Sequence, residues 1–374
     1  MCQVLTKFTK KQQMEFISPI FDLYSDYLLV NQGQPTATRL STLVEGKISH
    51  DAITRSLTQQ DCGSRQLWQV VKPFIRQIAQ EDAVLIADDT VEEKPYMACN
   101  DLIRYHFDHC QSRTIKGINQ LTVLYNSGQS SLPVAYELIK KDQPQIHKKT
   151  GKIKWISGVS KHELLRRMIS QCVCNNLLFK YILADCWYSC VETFNHIASL
   201  ERHFIMPLKA NRKVALSPLD HQQKRYQPIE SLVLKNSQLL TVWLEGVAFP
   251  LHLTRQVFKE GDPKEGDIYL VTNDLTADSV CIQTQYARRW KVEEFHKSSK
   301  SNVGYGSSPA HTVRSQSTHL FLVMLAFVKL EALRLSTKKN HFALKKLLNL
   351  NATKLALREL NSLKSQSPLL TKAA

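Results

Sequence analysis

Between Tyr286 and Lys300 the chain reads YARRWKVEEFHKSSK, which sets Tyr286, Arg289, Glu293 and Lys300 at steps of three, four and seven residues. At about 100° of rotation per residue on an α-helix, these side chains fall at about 0°, 300°, 340° and 320°, a sector about 60° wide, with Glu294 well outside it. A carboxylate flanked on one stripe by an aromatic ring, a guanidinium and an ammonium suits a metal-dependent site that also holds a polyanion. The bland alternative is a solvated face on which Arg289 and Glu293 pair at i,i+4, worth only about 0.2–0.5 kcal/mol. Two further acids weigh against it. The runs LIAD and ILAD are short apolar strands that end alike, at Asp88 and Asp185, and Asp89 follows the first directly. The order strand, hairpin, helix, strand, later helix brings such distant acids to adjacent strand ends. Carboxylates a few ångströms apart repel, and one keeps its proton unless divalent cations neutralise the group. Mg2+ is the implied cofactor, with Mn2+ as a substitute, because Mg2+ prefers oxygen ligands and keeps several waters. Two such ions can activate a water or a 3′-hydroxyl and stabilise the leaving oxygen, which phosphodiester cleavage and transfer both need.

The elements that must position these residues show as periodicity. Residues 1–80 form an expected N-terminal helical domain, with Phe16, Ile20 and Leu23, then Leu40, Leu43 and Val44, then Leu67, Val70, Val71 and Phe74 at helical spacing. In TRLSTLVEGKISHDAITRSL a helix breaks at Gly46 and Ser49 caps a second one, with Ile53 and Leu57 inward and Arg55 exposed. That order fits a helix-turn-helix that sets Arg55 on DNA, and it also fits the plain packing of a helical hairpin. Residues 81–208 supply AVLIAD, then IKGINQLTVLY and SLPVAYELI as an antiparallel hairpin turning at Asn126-Ser127-Gly128-Gln129. The helix SKHELLRRMISQCV, with a Ser160–Glu163 capping box, leads into YILAD. The intervening KKDQPQIHKKTGKIK reads as a mobile surface loop. Residues 209–280, with LLTVWLEG, FPLHLTRQVF, DIYLVTN and a turn from Gly261 to Gly266, read as an inserted β-rich subdomain. The Glu293 helix and the apolar THLFLVMLAFVKLEALRL make up 281–335, and 336–374 is a basic helical tail.

Bulk properties point the same way. A chain of 374 residues exceeds what one core usually fills, so two or three lobes are expected. Lys and Arg number 49 against 33 Asp and Glu, a formal charge of +16 with a pI near 9.4, and the natural partner of that surplus is nucleic acid. The rival, a membrane surface, lacks a strongly amphipathic basic helix. The longest apolar run, Leu320 to Val328, stops at Lys329, short of the roughly 20 residues that span a bilayer. MCQVLTKFTKKQQ lacks the order of a secretory signal, so a cytoplasmic protein is expected. Nine scattered cysteines fit a reducing compartment, and Cys172 with Cys174 lack the second pair that structural zinc needs. His106, Asp108 and His109 carry metal-ligating atoms, but no fourth ligand is evident and a polar loop before a strand is the expectation there.

These motifs resemble those of a known family. Tyr286, Arg289, Glu293 and Lys300 keep the four types and three spacings of the Tyr-Arg-Glu-Lys (YREK) signature of the DDE transposases of bacterial insertion sequences. With DDT at 88–90 and ADCW at 184–187, the resemblance covers most of the chain. It implies an α/β fold, an RNase-H-like mixed sheet flanked by helices, interrupted between the second Asp and the Glu by a β-rich insertion, where the strand pattern independently puts one. It also implies an enzyme that binds the terminal inverted repeats of its own element, cuts at the ends and joins them to target DNA, as a homodimer on DNA at the bacterial nucleoid. By position the first acid is Asp88 or Asp89, with Asp88 favoured because LIAD ends as ILAD does. The second is Asp185 and the third Glu293, the three implied catalytic and metal-binding residues. Arg289 and Lys300 are implied to grip phosphates near the scissile bond, and Tyr286 to hydrogen-bond or pack against the backbone there. Trp187 and Trp290 either stack on an unpaired base or wall the site. Two other readings stay open at this point: a transposase-derived DNA-binding protein without catalysis, and an RNase-H-like nuclease that cuts without joining.

Overall fold

β-branched and aromatic runs make the unit Gly63–His296 a sheet structure, while helix-spaced apolar residues make the unit of Met1–Cys62 with Lys297–Ala374 helical. The computed structural model describes residues 17–60, 62–108, 112–146, 151–257 and 266–366. Phe16 and the turn centred on residues 261–265 lie outside them.

In the helical unit, α1 (Pro19–Val30), α2 (Ala37–Leu43) and α3 (His50–Gln59) begin after Ser18, Thr36 and Ser49. Each of these side chains accepts the amide three residues on, which satisfies one of the orphan donors of the first turn. Gly46, at φ 73°, turns the chain between α2 and α3. Ile53 and Leu57 are buried and Arg55 is exposed, as the sequence predicts.

The sheet unit is organised on β1 (Val84–Glu93), whose opening VLIA is fully buried. β1 pairs antiparallel with β3 (Arg113–Ser127), while β2 (Arg104–Asp108) and β4 (Ser130–Leu138) share the far edge of β3. On the other side β1 runs parallel to β7 (Tyr181–Ala184), and β7 parallel to β8 (His203–Leu208). Strands from the 209–280 segment continue the sheet antiparallel through β13 (Asp267–Thr272), β12 (Leu251–Val257) and β11 (Leu239–Leu244) to the short β9 (Lys213–Ala215) and β10 (Gln227–Pro228), eleven strands among the described residues. Helices α4 (Ser64–Ile78) and α5 (Lys161–Cys174) pack on β4, α6 (Val191–Ser199) on β8, and α8 (Ser279–Ala287) on β8, β12 and β13, while the one-turn α7 (Pro218–Gln222) lies beside β9. The Ser64 hydroxyl donates to the Tyr136 carbonyl (2.6 Å) and accepts the Tyr136 amide (2.8 Å), fastening α4 to β4. A large mixed sheet flanked by helices, with a central order β4-β3-β1-β7-β8, is consistent with the RNase-H-like fold that the resemblance implies.

Three expectations are corrected. The first strand does not stop at Asp88. It runs to Glu93 because β3 pairs with it along its whole length, and at Gly117 the two backbones come so close that a Cβ would meet the Glu92 carbonyl oxygen at 2.2 Å. YHFD is not a polar loop but strand β2, and His106 is buried in it. Burial, with Lys141 and Lys161 nearby, pushes that imidazole down to about 3; His109 lies outside the described residues. The lysine-rich stretch is not a bare loop either: β5 (Gln143–Ile146) and β6 (Ile153–Ile156) pair as a two-stranded ribbon, and Trp155 lies under the Arg104 guanidinium at 4.1 Å. Alternation in QPQI and IKWI gives these segments a face to pair on, which lysine content hides.

The chain re-enters the helical unit through α9 (Trp290–Asn302) and continues as α10 (Val313–Thr337) and α11 (His341–Ser365). α10 buries its apolar run, packs on α1 and α3, and sets His319 Nδ1 3.2 Å from the Tyr24 hydroxyl. Among the described residues no helix is long and apolar enough to cross a membrane.

Candidate active site

Parallel pairing of β1 with β7 ends at Ala87 and Ala184, so the next residues, Asp88 and Asp185, leave neighbouring strands side by side. β7 stops there. The exposed Asp185 carboxylate accepts from the Cys186 amide and caps the short 3₁₀ turn Cys186–Tyr188. β1 continues, and its pleat sends Asp88 and Asp89 to opposite faces.

Asp89 is fully engaged. It accepts from Lys161 Nζ (2.9 Å), the Tyr188 hydroxyl (2.6 Å) and Asn119 Nδ2 (3.0 Å). Burial alone would raise its carboxyl, but Lys161, with the Tyr188 and Asn119 donors, outweighs burial and holds it below the usual range. Asp88 has the opposite fate. Burial pushes its carboxyl up to about 7 against the pull of Arg289, with Glu293 and Asp89 adding to the rise.

The signature is carried by two helices rather than one. α8 ends at Ala287 and α9 begins at Trp290, and the amides of Arg288, Arg289, Lys291 and Val292 bond three residues back at 2.9–3.1 Å. Arg288 explains the tightening. Its guanidinium donates to Asn126 Oδ1 (2.8 Å), the Asn126 carbonyl (2.9 Å) and the Asp82 carbonyl (2.6 Å), which ties the junction to the β3–β4 turn and the start of β1. Tyr286 therefore sits on α8, Arg289 at the junction, and Glu293 and Lys300 on α9. Glu294 is exposed and pairs with Lys291, outside the site as the rotation predicts.

At that junction Arg289 Nη1 lies 3.4 Å from Asp88 Oδ2 and 3.5 Å from Glu293 Oε1. Donor atoms of Asp88, Glu293 and His296 all fall within 4.8 Å of one another. Two unit negative charges that close repel by about 3 kcal/mol or more at an effective dielectric of about 20, so Asp88 and Glu293 need a shared cation. Arg289 now supplies one. Two carboxylates, that of Asp88 raised by burial, form a donor set that a divalent ion fits. Tyr286 is buried beside this group: burial lifts its phenol above the ordinary range against the pull of Arg289, and Asp185, Cys186 and Asp88 add to the rise.

Lys300 is exposed further along α9, in the stretch that belongs to the helical unit, and Arg55 is exposed on α3. Trp187 stacks on His162 with centroids 4.1 Å apart, and Lys161 Nζ lies 4.5 Å from its ring centre; Trp290 is 52% exposed. Three participants were missed in the sequence. His296 follows Glu293 by three residues, a spacing that shares a helical face and would have flagged it. Lys161 and Tyr188, which fix Asp89, carry no such signal, since they are distant in sequence and meet Asp89 only through the fold.

Residues 3–230 match the family described as DDE superfamily endonuclease, and residues 158–328 match the family described as transposase DDE domain. No curated protein matches the chain. A crystal structure of Kluyveromyces polysporus Argonaute with a guide RNA is similar over 78% of this chain at 10% identity and a TM-score of 0.22, and this chain spans 32% of that one.

Proposed function

The chain belongs to the DDE superfamily endonucleases, and from that premise we propose that it is a DNA transposase that binds the terminal inverted repeats of its element and cuts and joins DNA at Asp88, Asp185 and Glu293. The observation that carries this reading is the meeting of Asp88 with Glu293 and Arg289 where the parallel pair β1–β7 ends and Asp185 leaves the adjacent strand. Bound Mg2+ ions, or Mn2+ in their place, would supply activation of a water or 3′-hydroxyl and stabilisation of the leaving oxygen.

The protein's own part is charge and position. Asp88 and Glu293, with Asp185 on the adjacent strand, would hold the ions. Arg289 then passes from the two carboxylates to a phosphate next to the scissile bond, an exchange of one anionic partner for another. Lys300 takes a neighbouring phosphate, Tyr286 packs beneath the backbone, and Arg55 contacts DNA from the second helix of the N-terminal hairpin. Residues 81–208 and 281–335 form the catalytic core around the 209–280 insertion, 1–80 bind DNA, and 336–374 are a basic tail. A homodimer holds the two element ends, and the surplus of 16 positive charges keeps the protein on the nucleoid.

The test is incubation of purified protein with a labelled duplex carrying the flanking terminal repeat, with and without Mg2+ or Mn2+, beside Glu293→Gln. Metal-dependent cleavage and strand joining, both lost in the variant, are expected. Cleavage that survives in Glu293→Gln removes the third acid from the assignment; binding with no cleavage under any metal condition makes the protein a DNA-binding derivative.

A further inference from the structure

We propose that His296 is a metal ligand alongside Asp88 and Glu293, and that this mixed nitrogen and oxygen set makes their site select Mn2+ over Mg2+. The inference rests on the proposed function, which puts a divalent ion at those acids. Glu293 and His296 lie one turn apart on α9, on one face of the helix, and both reach Asp88 on β1 with donor atoms within 4.8 Å of one another. Donors on a single octahedral ion at about 2.1 Å lie about 3.0 Å apart when cis and about 4.2 Å when trans, so a closure of at most about 1.8 Å completes the set. A Glu-x-x-His turn is a general way for one helix to deliver a carboxylate and an imidazole to iron or manganese.

The surroundings favour a rigid ligand. His296 is only 8% exposed, so its imidazole has little water to shed, and its helical neighbours Val292 and Phe295 are buried at 0% and 2%. Selectivity follows from donor chemistry. Mg2+ demands oxygen ligands in a near-ideal octahedron and dehydrates reluctantly, whereas an imidazole nitrogen suits first-row transition ions. Of these Mn2+ is the one that also accepts carboxylate oxygen readily. Asp185, one strand over, leaves the other side of the site all oxygen and open to Mg2+.

The experiment needs no DNA and no turnover. Mn2+ is bound to the full chain and its electron-spin-echo modulation is recorded for protein made with natural and with 15N-labelled histidine; Mn2+ and Mg2+ affinities are measured by calorimetry for wild type, His296→Ala, His296→Asp, Asp88→Asn and Glu293→Gln. Expected are histidine-nitrogen modulation in the wild type, a loss of Mn2+ affinity of about 10-fold or more in His296→Ala with Mg2+ affinity changed far less, and a swing toward Mg2+ in His296→Asp. Absence of nitrogen modulation, with Mn2+ binding that still depends on Asp88 and Glu293, overturns the role of His296 and leaves the proposed function standing. Mn2+ binding indifferent to Asp88→Asn and Glu293→Gln overturns both.

Discussion

Asp88 and Asp89, adjacent on β1, are paired with different cations: Asp88 Oδ2 lies 3.4 Å from Arg289 Nη1, and Asp89 Oδ2 lies 2.9 Å from Lys161 Nζ. The pleat separates the two carboxylates and the fold then treats them oppositely. Asp89 receives three side-chain donors and is held as a structural anion, while Asp88 shares its one cation with Glu293 and keeps coordination capacity to spare.

Asp88→Asn and Asp89→Asn should therefore separate chemistry from stability. Asp88→Asn is expected to abolish metal-dependent cleavage with the fold intact. Asp89→Asn exchanges the buried anion for an amide and strands Lys161, costing about 1–3 kcal/mol in urea unfolding. The assignment is reversed if Asp89→Asn destroys cleavage at full stability while Asp88→Asn cleaves normally.

The metal-free protein should lose stability as pH rises through neutrality. Burial, first of all, raises the Asp88 carboxyl from 3.8 to about 7. A folded value above the unfolded one means a contribution fully present below about pH 4 and lost as pH climbs through about 7. Between about pH 5 and pH 8, in EDTA, the urea midpoint of the wild type is expected to fall relative to Asp88→Asn, a difference on the order of 2–4 kcal/mol. Added Mg2+ should shrink the gap, and parallel pH profiles for the two proteins would remove Asp88 as its source.

Arg289→Gln should move two measurements in opposite directions. Removing the guanidinium shared by Asp88 and Glu293 takes away a competitor for a divalent ion, so calorimetric Mg2+ affinity without DNA is expected to rise. Cleavage of the terminal repeat should drop by about 10²-fold or more, because the phosphate loses its positioned cation. A variant with weaker metal binding and undiminished cleavage would assign Arg289 a purely structural place.

Gly117→Ala should damage the site from a distance. The new Cβ would meet the Glu92 carbonyl oxygen at 2.2 Å and its carbon at 2.9 Å, both backbone atoms, so β1 and β3 must part there. A loss of about 2–4 kcal/mol is expected, with the amides of Val91–Glu93 exchanging faster than those of Val84–Ala87. Uniform exchange along β1 would show that Gly117 is not what lets the strand extend.

The sequence by itself determined the local chemistry. The Ser49 and Ser160 caps, the break at Gly46 and the exposure of Arg55 all depend on neighbours within a few residues, where propensity and period act directly. It also carried the family resemblance, through motif types and spacings. What only the tertiary structure decided is what distant residues do to one another. The different surroundings of Asp88 and Asp89 depend on Lys161, Tyr188 and Asn119, which are brought to Asp89 by three different elements. The stripe from Tyr286 to Lys300 is split at Arg288 because Asn126, at the end of β3 far back in the chain, captures its guanidinium. β2 and the β5–β6 ribbon form because a partner edge is present, and hydrogen bonds between strands leave no trace in the composition of either strand alone.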